Sequence, residues 1–482
     1  MKNFHVAIVG GGIIGSSIAW ELSKYKINTI VFEKGSDVAS GTSKANSGVI
    51  HSGINSKPNS LKARFCVEGN KLFKTLSDQL GFPVKFPGKY VIAKNNEEIK
   101  ELKKLEKVGK QNKVPNLEIK TEINEPNVSC EAALWVPTAG IFLPYQMTIG
   151  FAENAAINNV KFSIETKVTG LKKQNESFQI KTNKGEFQSN IIINATGLHG
   201  KEIVSMLEEP DFNIYPCRGE YLVLDKNYCN LITSMIYPVP PKELDVLGVH
   251  MTPTIEGNLL IGPSAEFIED PNDKITTKEM MKQLLIEAKE IIPTIPDKSV
   301  INAYSGIRCK IASSEEGGWA DYRIEESKQT TGLINLLGIE SPGLTAAPAI
   351  AKYVAELVSN HVELKKKSDF KIKKQSKKFN ELSNKEQSKL IKQDPRWGRI
   401  VCRCEHITEK EVIDALSNPL GAKTISSVKY RCRAGMGRCQ GGFCTQHIVR
   451  IMQDKFNIDV RNINLKSTDS YLFTGRNREA DK

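Results

Sequence analysis

Two groups of residues in this chain could do chemistry. The first is a glycine turn, Gly10-x-Gly12-x-x-Gly15, entered from the apolar run Val6-Ala7-Ile8-Val9. Glycines at that spacing let the backbone turn tightly and approach a pyrophosphate, which then rests on the free N–H groups of the following helix. Ile14, Ile18 and Leu22 recur at helical spacing behind the turn, and a second apolar stretch, residues 29–32, runs into Glu33. That acid lies 18 residues after Gly15, where a carboxylate accepts the ribose hydroxyls of a dinucleotide. The plainer reading is an ordinary β-turn-helix with a charged strand end; the second strand ending in an acid argues for the nucleotide. The second group is cysteine. Ten cysteines are too few and too scattered for a disulfide scaffold, yet Cys402, Cys404, Cys432, Cys439 and Cys444 crowd into the last fifth of the chain. In a chain expected in the cytoplasm, that clustering points to metal.

Positioning these groups takes more than one core. A chain of 482 residues is expected to divide into two or three domains, and 40% hydrophobic with 25% charged residues fits a soluble globular protein. The apolar start does not read as a signal peptide, because glycines break it and acidic residues follow soon after. No run approaches the roughly 18 apolar residues of a membrane span, so the expected location is cytoplasmic, with membrane association at most peripheral. The net charge of +12 is uneven: residues 365–378 hold eight lysines and one acid, Asp369. A basic excess can attract nucleic acid, anionic lipid or an acidic partner. No recognition motif or aromatic ladder accompanies it, so the stretch reads as a solvated linker and no nucleic acid is expected as a partner.

Residues 39–53 (ASGTSKANSGVIHSG) form a small, polar loop suited to close backbone approach to a flat ligand, leading into a helix with Leu72, Leu76 and Leu80 in line. A Lys- and Glu-rich surface helix is predicted over 97–110. Ile191-Ile192-Ile193-Asn194-Ala195-Thr196-Gly197 is another buried strand ending in a small-residue turn. Its late return to the nucleotide sheet makes the intervening segments insertions that build a second domain. Arg218-Gly219-Glu220 enters a strand at 221–224, and residues 248–262 read as a hairpin. Thr276 and Glu279 are placed to form a capping box for a helix with Met280, Leu284, Ala288 and Ile292 on one face. Residues 302–310 read as a strand carrying Arg308, and 333–338 as the last apolar strand before an Ala-rich helix. From about residue 361 the chain turns polar and Lys-rich, the clearest boundary. The predicted division is 1–360, a linker at 361–395, a cysteine domain at 396–455 and a tail at 456–482.

Through about residue 360 the chain resembles the D-amino-acid-oxidase-like flavoproteins, within them the branch of L-2-hydroxyglutarate oxidases and type II glycerol-3-phosphate oxidases and dehydrogenases. The glycine turn, Asn46-Ser47-Gly48-Val49-Ile50-His51-Ser52-Gly53, Arg218-Gly219-Glu220-Tyr221, Gly248-Val249-His250 and the stretch from Gly338 to Thr345 carry the match. It implies an α/β fold: a Rossmann-like domain binding FAD non-covalently, interleaved with a mixed β-sheet substrate domain. Cys402-x-Cys404, 34 residues, then Cys439-x4-Cys444 resembles the bacterioferritin-associated-ferredoxin-type [2Fe-2S] domains, which implies a small helical C-terminal domain with those four cysteines as ligands. Four thiolates can hold two irons, and the neighbouring glycines leave N–H groups for the sulfides. Structural zinc is the alternative, though it usually takes C-x2–4-C pairs. Thr408 and Glu411 would cap the helix between the cysteine pairs. Cys432 has no counterpart among the ligands, and Cys66, Cys130, Cys217, Cys229 and Cys309 are expected as buried small hydrophobes.

The resemblance implies an FAD site of Gly10, Gly12, Ile14, Gly15, Glu33, Ser47, Gly48, Ala195, Gly197, Gly343, Leu344 and Thr345. Oxidising an alcohol needs a base for the hydroxyl proton, and His51 and His250 are the candidates. A substrate carboxylate or phosphate needs a fixed cation, and Arg suits both; Arg308 is the first candidate and Arg218 the second. The resemblance, with a cluster domain following the flavin module, implies a dehydrogenase of a small anionic hydroxy substrate, sn-glycerol 3-phosphate foremost. Electrons would pass through the cluster to an acceptor protein or quinone-linked partner. An L-2-hydroxy acid such as 2-hydroxyglutarate is the near rival and an amino acid a more distant one. An iron-handling electron carrier would have no use for the first 360 residues.

Overall fold

The computed structural model describes residues 2–240 and 248–475. The nucleotide sheet is laid down on the strand Lys2–Val9, in which Val6, Ala7 and Ile8 are fully buried. It pairs in parallel with Thr29–Phe32 on one side and Gly185–Asn194 on the other. Lys161–Ser163 extends the sheet beyond the first neighbour and Leu333–Leu337 beyond the second, both parallel, with Arg323–Glu326 antiparallel at the edge. Buried on both faces, such strands need near-continuous apolar runs, as TIVF and LINLL supply. The helices Ile13–Leu22, Leu61–Leu80, Pro144–Ile157 and Gly343–Ser359 pack together on one face. Leu61–Leu80 starts on Ser60, whose hydroxyl accepts the Ala63 N–H, and stops at Gly81 in the left-handed region at φ +84°.

The excursions after Phe32 and after Asn194 build the second sheet, nine-stranded and mixed. Tyr215–Leu224 pairs antiparallel with Val300–Lys310 along its whole length and with Leu259–Ile261. Farther out, Lys89–Ala93 runs parallel to Met235–Pro238 and antiparallel to Ala132–Val136. The helix Lys278–Ile291 covers this sheet with Leu284, Ala288 and Ile291. Its cap is one residue later than the predicted Thr276: Thr277 accepts the Met280 N–H, and its own N–H and hydroxyl are held by buried Glu220. The surface helix is found at Asn96–Gln111.

The C-terminal domain has its own core, formed by a two-stranded ribbon, Ile400–Cys402 with Ile407–Thr408, and the helices Glu409–Leu416, Ile425–Cys432 and Cys444–Phe456. The Thr408–Glu411 capping box is present. The predicted solvated linker is instead a strap laid along the flavin-side module. Lys26 and Lys367 exchange backbone bonds across it with Lys365 and Lys24, and the buried side chains of Asn154 and Asn158 bond both the N–H and the C=O of Lys373 and Lys371. Those two asparagines hold its backbone, and Lys367 and Lys378 turn back to the Asn158 carbonyl at 2.6 Å and to Glu256 at 3.1 Å. The tail also packs: Ile463 is buried and Asn464 pairs with Tyr471. Residues 476–482 of the predicted tail lie outside the described residues. Cys66, Cys217 and Cys309 are buried as expected, whereas Cys130 and Cys229 are partly exposed. Among the described residues no helix is long and apolar enough to cross a membrane.

Candidate active site and cluster site

Between the two sheets lies a cavity of about 1200 Å³ that begins at the glycine turn and ends against the second sheet. Gly10, Gly12, Ile14, Glu33, Ser47, Ala195, Gly197, Gly343 and Leu344 all line it. Gly10 sits at φ +108°, and a Cβ there would come within 2.5 Å of the Ala195 carbonyl oxygen. Gly15 does not line the cavity; a Cβ on it would fall 1.9 Å from the Gly10 oxygen, so it sets the close packing of helix on strand. Gly48 (φ +65°) likewise shapes its loop against the Phe142 carbonyl. Thr345 works from behind the wall, its hydroxyl accepting the His51 N–H at 2.9 Å. Glu33 accepts the N–H groups of Gly11 and Gly35 at 2.7 and 2.6 Å, and burial raises its pKa. Gly41 and Gly197 both line the cavity, and a Cβ on either would meet nothing within 4 Å. This is room in which a dinucleotide can lie against bare backbone, so the residues present fit FAD.

At the far end the structure brings together His51, His250 and Arg308. His51 is held by the Thr345 bond and by Asn70, whose amide donates to the His51 carbonyl at 2.9 Å; its Nε2 is 3.3 Å from Ser341 Oγ. His250 stacks on Tyr237, ring centroids 3.8 Å apart. Its Nδ1 lies 3.1 Å from the Gly248 carbonyl, which can only accept, so Nδ1 carries the proton and Nε2 the lone pair. That Nε2 is buried with no hydrogen-bond partner among the described residues. Burial pushes the pKa of both imidazoles down to about 3, with the Lys89 charge adding to the effect. Both rings are therefore neutral bases across the physiological range. The Arg308 guanidinium donates to the Ser264 carbonyl at 3.2 and 3.3 Å, and no described carboxylate forms an ion pair with it.

Arg218 is elsewhere. It does not line the cavity, and its charge is taken up by Glu266 at 2.6 Å, Asp273 at 2.7 Å and Glu220 at 3.7 Å. Sequence reasoning missed Lys89, a buried lysine on the cavity wall, and the buried pair of lysines, Lys62 and Lys310, that share Glu340 at 2.9 and 3.0 Å. The only signal for Lys89 was a lysine heading an apolar run (KYVIA), which an exposed strand end would share.

In the C-terminal domain the four predicted ligands fall into two pairs. Cys404 and Cys439 sulfurs are 3.6 Å apart, and Cys402 bonds Cys444. A tetrahedron with roughly 2.3 Å metal–sulfur bonds has an edge of about 3.8 Å, so the first pair is spaced for one metal. A donor set in two pairs suits a dinuclear cluster. Hydrogen bonds from Cys444 and from the Gly435 and Glu405 amides lower the Cys402 thiol to about 5. The amides of Phe443 and Gly441 help lower Cys439. These amides favour thiolates at Cys402 and Cys439, while the bond to Cys402, with burial, raises the Cys444 thiol; four thiols so paired fit [2Fe-2S] once a metal displaces their protons. Cys432 is buried and apart, its thiol raised to about 12 by burial.

The helix Ile425–Cys432 joins the two sites. Arg431 bonds Asp37 and, at 2.7 Å, Glu153 of the flavin-side module; Arg433 bonds Glu405 at 2.9 Å and reaches Glu256 at 3.4 Å. Tyr430 packs on Tyr145 at 5.1 Å and, with Lys466, lines the rim of the cavity.

Comparison with known proteins matches residues 5–357 to the FAD dependent oxidoreductase family and residues 400–454 to the BFD-like [2Fe-2S] binding domain. A glycerol 3-phosphate dehydrogenase of Caloramator mitchellensis is 40% identical over 98% of both chains. An L-2-hydroxyglutarate dehydrogenase of Indibacter alkaliphilus is 30% identical over 73% of this chain and 98% of its own. The FAD-bound, dithionite-reduced L-α-glycerophosphate oxidase of Mycoplasma pneumoniae superposes with a TM-score of 0.72 at 30% identity, covering 77% of this chain and 98% of that one. The chain belongs to the FAD dependent oxidoreductases, and it carries a [2Fe-2S] domain behind the flavin module.

Proposed function

We propose that this protein dehydrogenates sn-glycerol 3-phosphate to dihydroxyacetone phosphate and delivers the electrons, through its cluster, to an external acceptor protein or quinone-linked carrier. The observation that carries the reading is the far end of the cavity, where Arg308 has no carboxylate partner among the described residues and faces the same space as two neutral imidazoles. That set binds an anion and removes a proton beside it. The full-length likeness to a glycerol 3-phosphate dehydrogenase, cluster domain included, supports the phosphate over the 2-hydroxy acid. Bound FAD supplies the hydride acceptor and the cluster a one-electron relay.

The residues divide the work by chemistry. Arg308 holds the anionic end of the substrate. His51 takes the hydroxyl proton on its ring, which Thr345 and Asn70 hold in place through the backbone. A second reading gives the proton to His250, favoured by its fixed tautomer and its unpartnered Nε2. Gly343, Leu344 and Thr345 start the helix Gly343–Ser359, whose N-terminus favours negative charge on the reduced flavin. Anaerobic bleaching of the bound flavin by glycerol 3-phosphate, L-2-hydroxyglutarate and a set of L-amino acids tests the proposal. The phosphate should bleach it fastest at equal concentration. Bleaching by the hydroxy acid alone would transfer the role to that substrate.

A further inference from the structure

We propose that Lys89 is a second cation of the substrate site, holding the substrate's phosphate together with Arg308. Three adjacent strands put it there. Lys89 pairs with Met235, and Ile236 with Met251, so the side chains of Lys89 and Tyr237 share one face of the sheet and His250 enters beside them. The Lys89 ammonium lies over the Tyr237 ring at 4.4 Å, the ring on which His250 stacks. Lys89 is 2% exposed and lines the cavity.

A buried ammonium is costly unless something compensates it. Among the described residues the groups that face Lys89 are Tyr237, His51, His250 and Cys66, with His250 also feeling the Arg308 charge, and none supplies a negative charge. Burial raises the Cys66 thiol to about 12, so it stays protonated. Glu340, a carboxylate that also lines the cavity, is shared by Lys62 and Lys310. Among the described residues no carboxylate pairs with Lys89, and the cation–π contact offsets only part of the cost. An arriving dianion completes the set. Burial lowers the Lys89 pKa to about 8, leaving the group charged at neutral pH. Two cations at one end of a cavity suit a single phosphate dianion. A dicarboxylate, with its charges at opposite ends, would use them less well.

The inference rests on reading this cavity as the site of a phosphate-bearing substrate, and the test separates the two. Full-length, FAD-loaded Lys89→Met and Lys89→Arg are compared with the wild type in anaerobic flavin reduction by glycerol 3-phosphate. Dissociation constants for inorganic phosphate are read from the perturbed flavin spectrum. Lys89→Met should raise the half-saturating substrate concentration and the phosphate Kd by about 10- to 100-fold, the effect of losing one charge-assisted hydrogen bond. The limiting reduction rate should change by less than about threefold, and Lys89→Arg should recover most of the affinity. Unchanged phosphate affinity in Lys89→Met overturns the proposal. So does a limiting rate that falls in Met and Arg variants alike, which would mark a structural lysine. If the wild-type flavin is reduced by L-2-hydroxyglutarate and not by glycerol 3-phosphate, the proposed function falls. The Lys89 assignment is then judged by the phosphate Kd alone.

Discussion

Arg218 and Arg308 show how much one residue of register decides. In the antiparallel pair that carries them, Arg308 lies opposite Cys217 and Arg218 opposite Ile307. Residues opposite each other share a face and successive residues alternate, so the two guanidiniums leave the sheet on opposite sides. One meets the cavity and the other meets Glu266 and Asp273. Both arginines were visible in the sequence; the parity that separates them was not, because it depends on a pairing between segments about 90 positions apart. Lys89 was hidden for the same reason, since its neighbours Tyr237 and His250 come from distant strands. Arg308→Ala should lower kcat/KM by roughly 100- to 1,000-fold, the loss of a bidentate charge-assisted contact worth about 3–4 kcal/mol. Arg308→Lys should restore only part, because an ammonium cannot reproduce the fork. Steady-state kinetics with glycerol 3-phosphate read the effect. Unchanged kinetics in Arg308→Ala would remove it from the substrate site.

Elements were legible where their signals are local. The glycine turn, the apolar strands and the Thr408–Glu411 box each depend on residues within a few positions of one another, and the structure has them. The strap was not legible, because a Lys-rich segment looks solvated unless its backbone partners are known. Those partners, Asn154 and Asn158, sit on the helix Pro144–Ile157 and its C-cap, more than 200 positions earlier. The cysteine pairs belong to elements too: Cys402 ends a strand, Cys444 begins a helix, and Cys404 and Cys439 lie in the exposed turns between. Cys439→Ser takes one member from the 3.6 Å pair. Cluster iron and acid-labile sulfide should fall from two of each per chain to near zero. FAD content should hold, because the residues expected to hold the dinucleotide, Gly10 to Thr345, all precede the strap, and of the described residues beyond it only Tyr430 and Lys466 reach the cavity. Iron, sulfide and flavin analyses on one preparation check this. Loss of FAD along with iron would show that the two cofactors assemble as one unit.

At the scale of the whole molecule, the question is how a hydride site and a one-electron site come to share a chain. In the structure the C-terminal domain does not hang free of the flavin-side module. The strap brings it to the flavin-side module, where Arg431, its side chain 7% exposed, bonds Asp37 and Glu153 across the junction. Tyr430, one residue earlier, lines the cavity, and the turn bearing Cys439 follows the end of this helix. On the proposed electron route this docking would set the distance between flavin and cluster, and the rate of electron passage should depend on it. Removing Arg431 leaves Asp37 and Glu153 facing each other without their cation in a nearly dry junction, a loss of about 3–5 kcal/mol for a buried pair broken on one side. In Arg431→Ala, substrate should still bleach the flavin at close to the wild-type rate, since no residue of the cavity's far end has changed. Bleaching of the cluster should follow roughly tenfold or more slowly, and turnover with a one-electron protein acceptor should fall with it. Anaerobic stopped-flow absorbance separates the two events in a single trace, because flavin and cluster absorb differently. If the cluster is reduced in Arg431→Ala as fast as in the wild type, the ion pairs at this junction do not set the electron route. The exposed face of Cys404 and Cys439 would then have to meet the flavin from another arrangement of the domains.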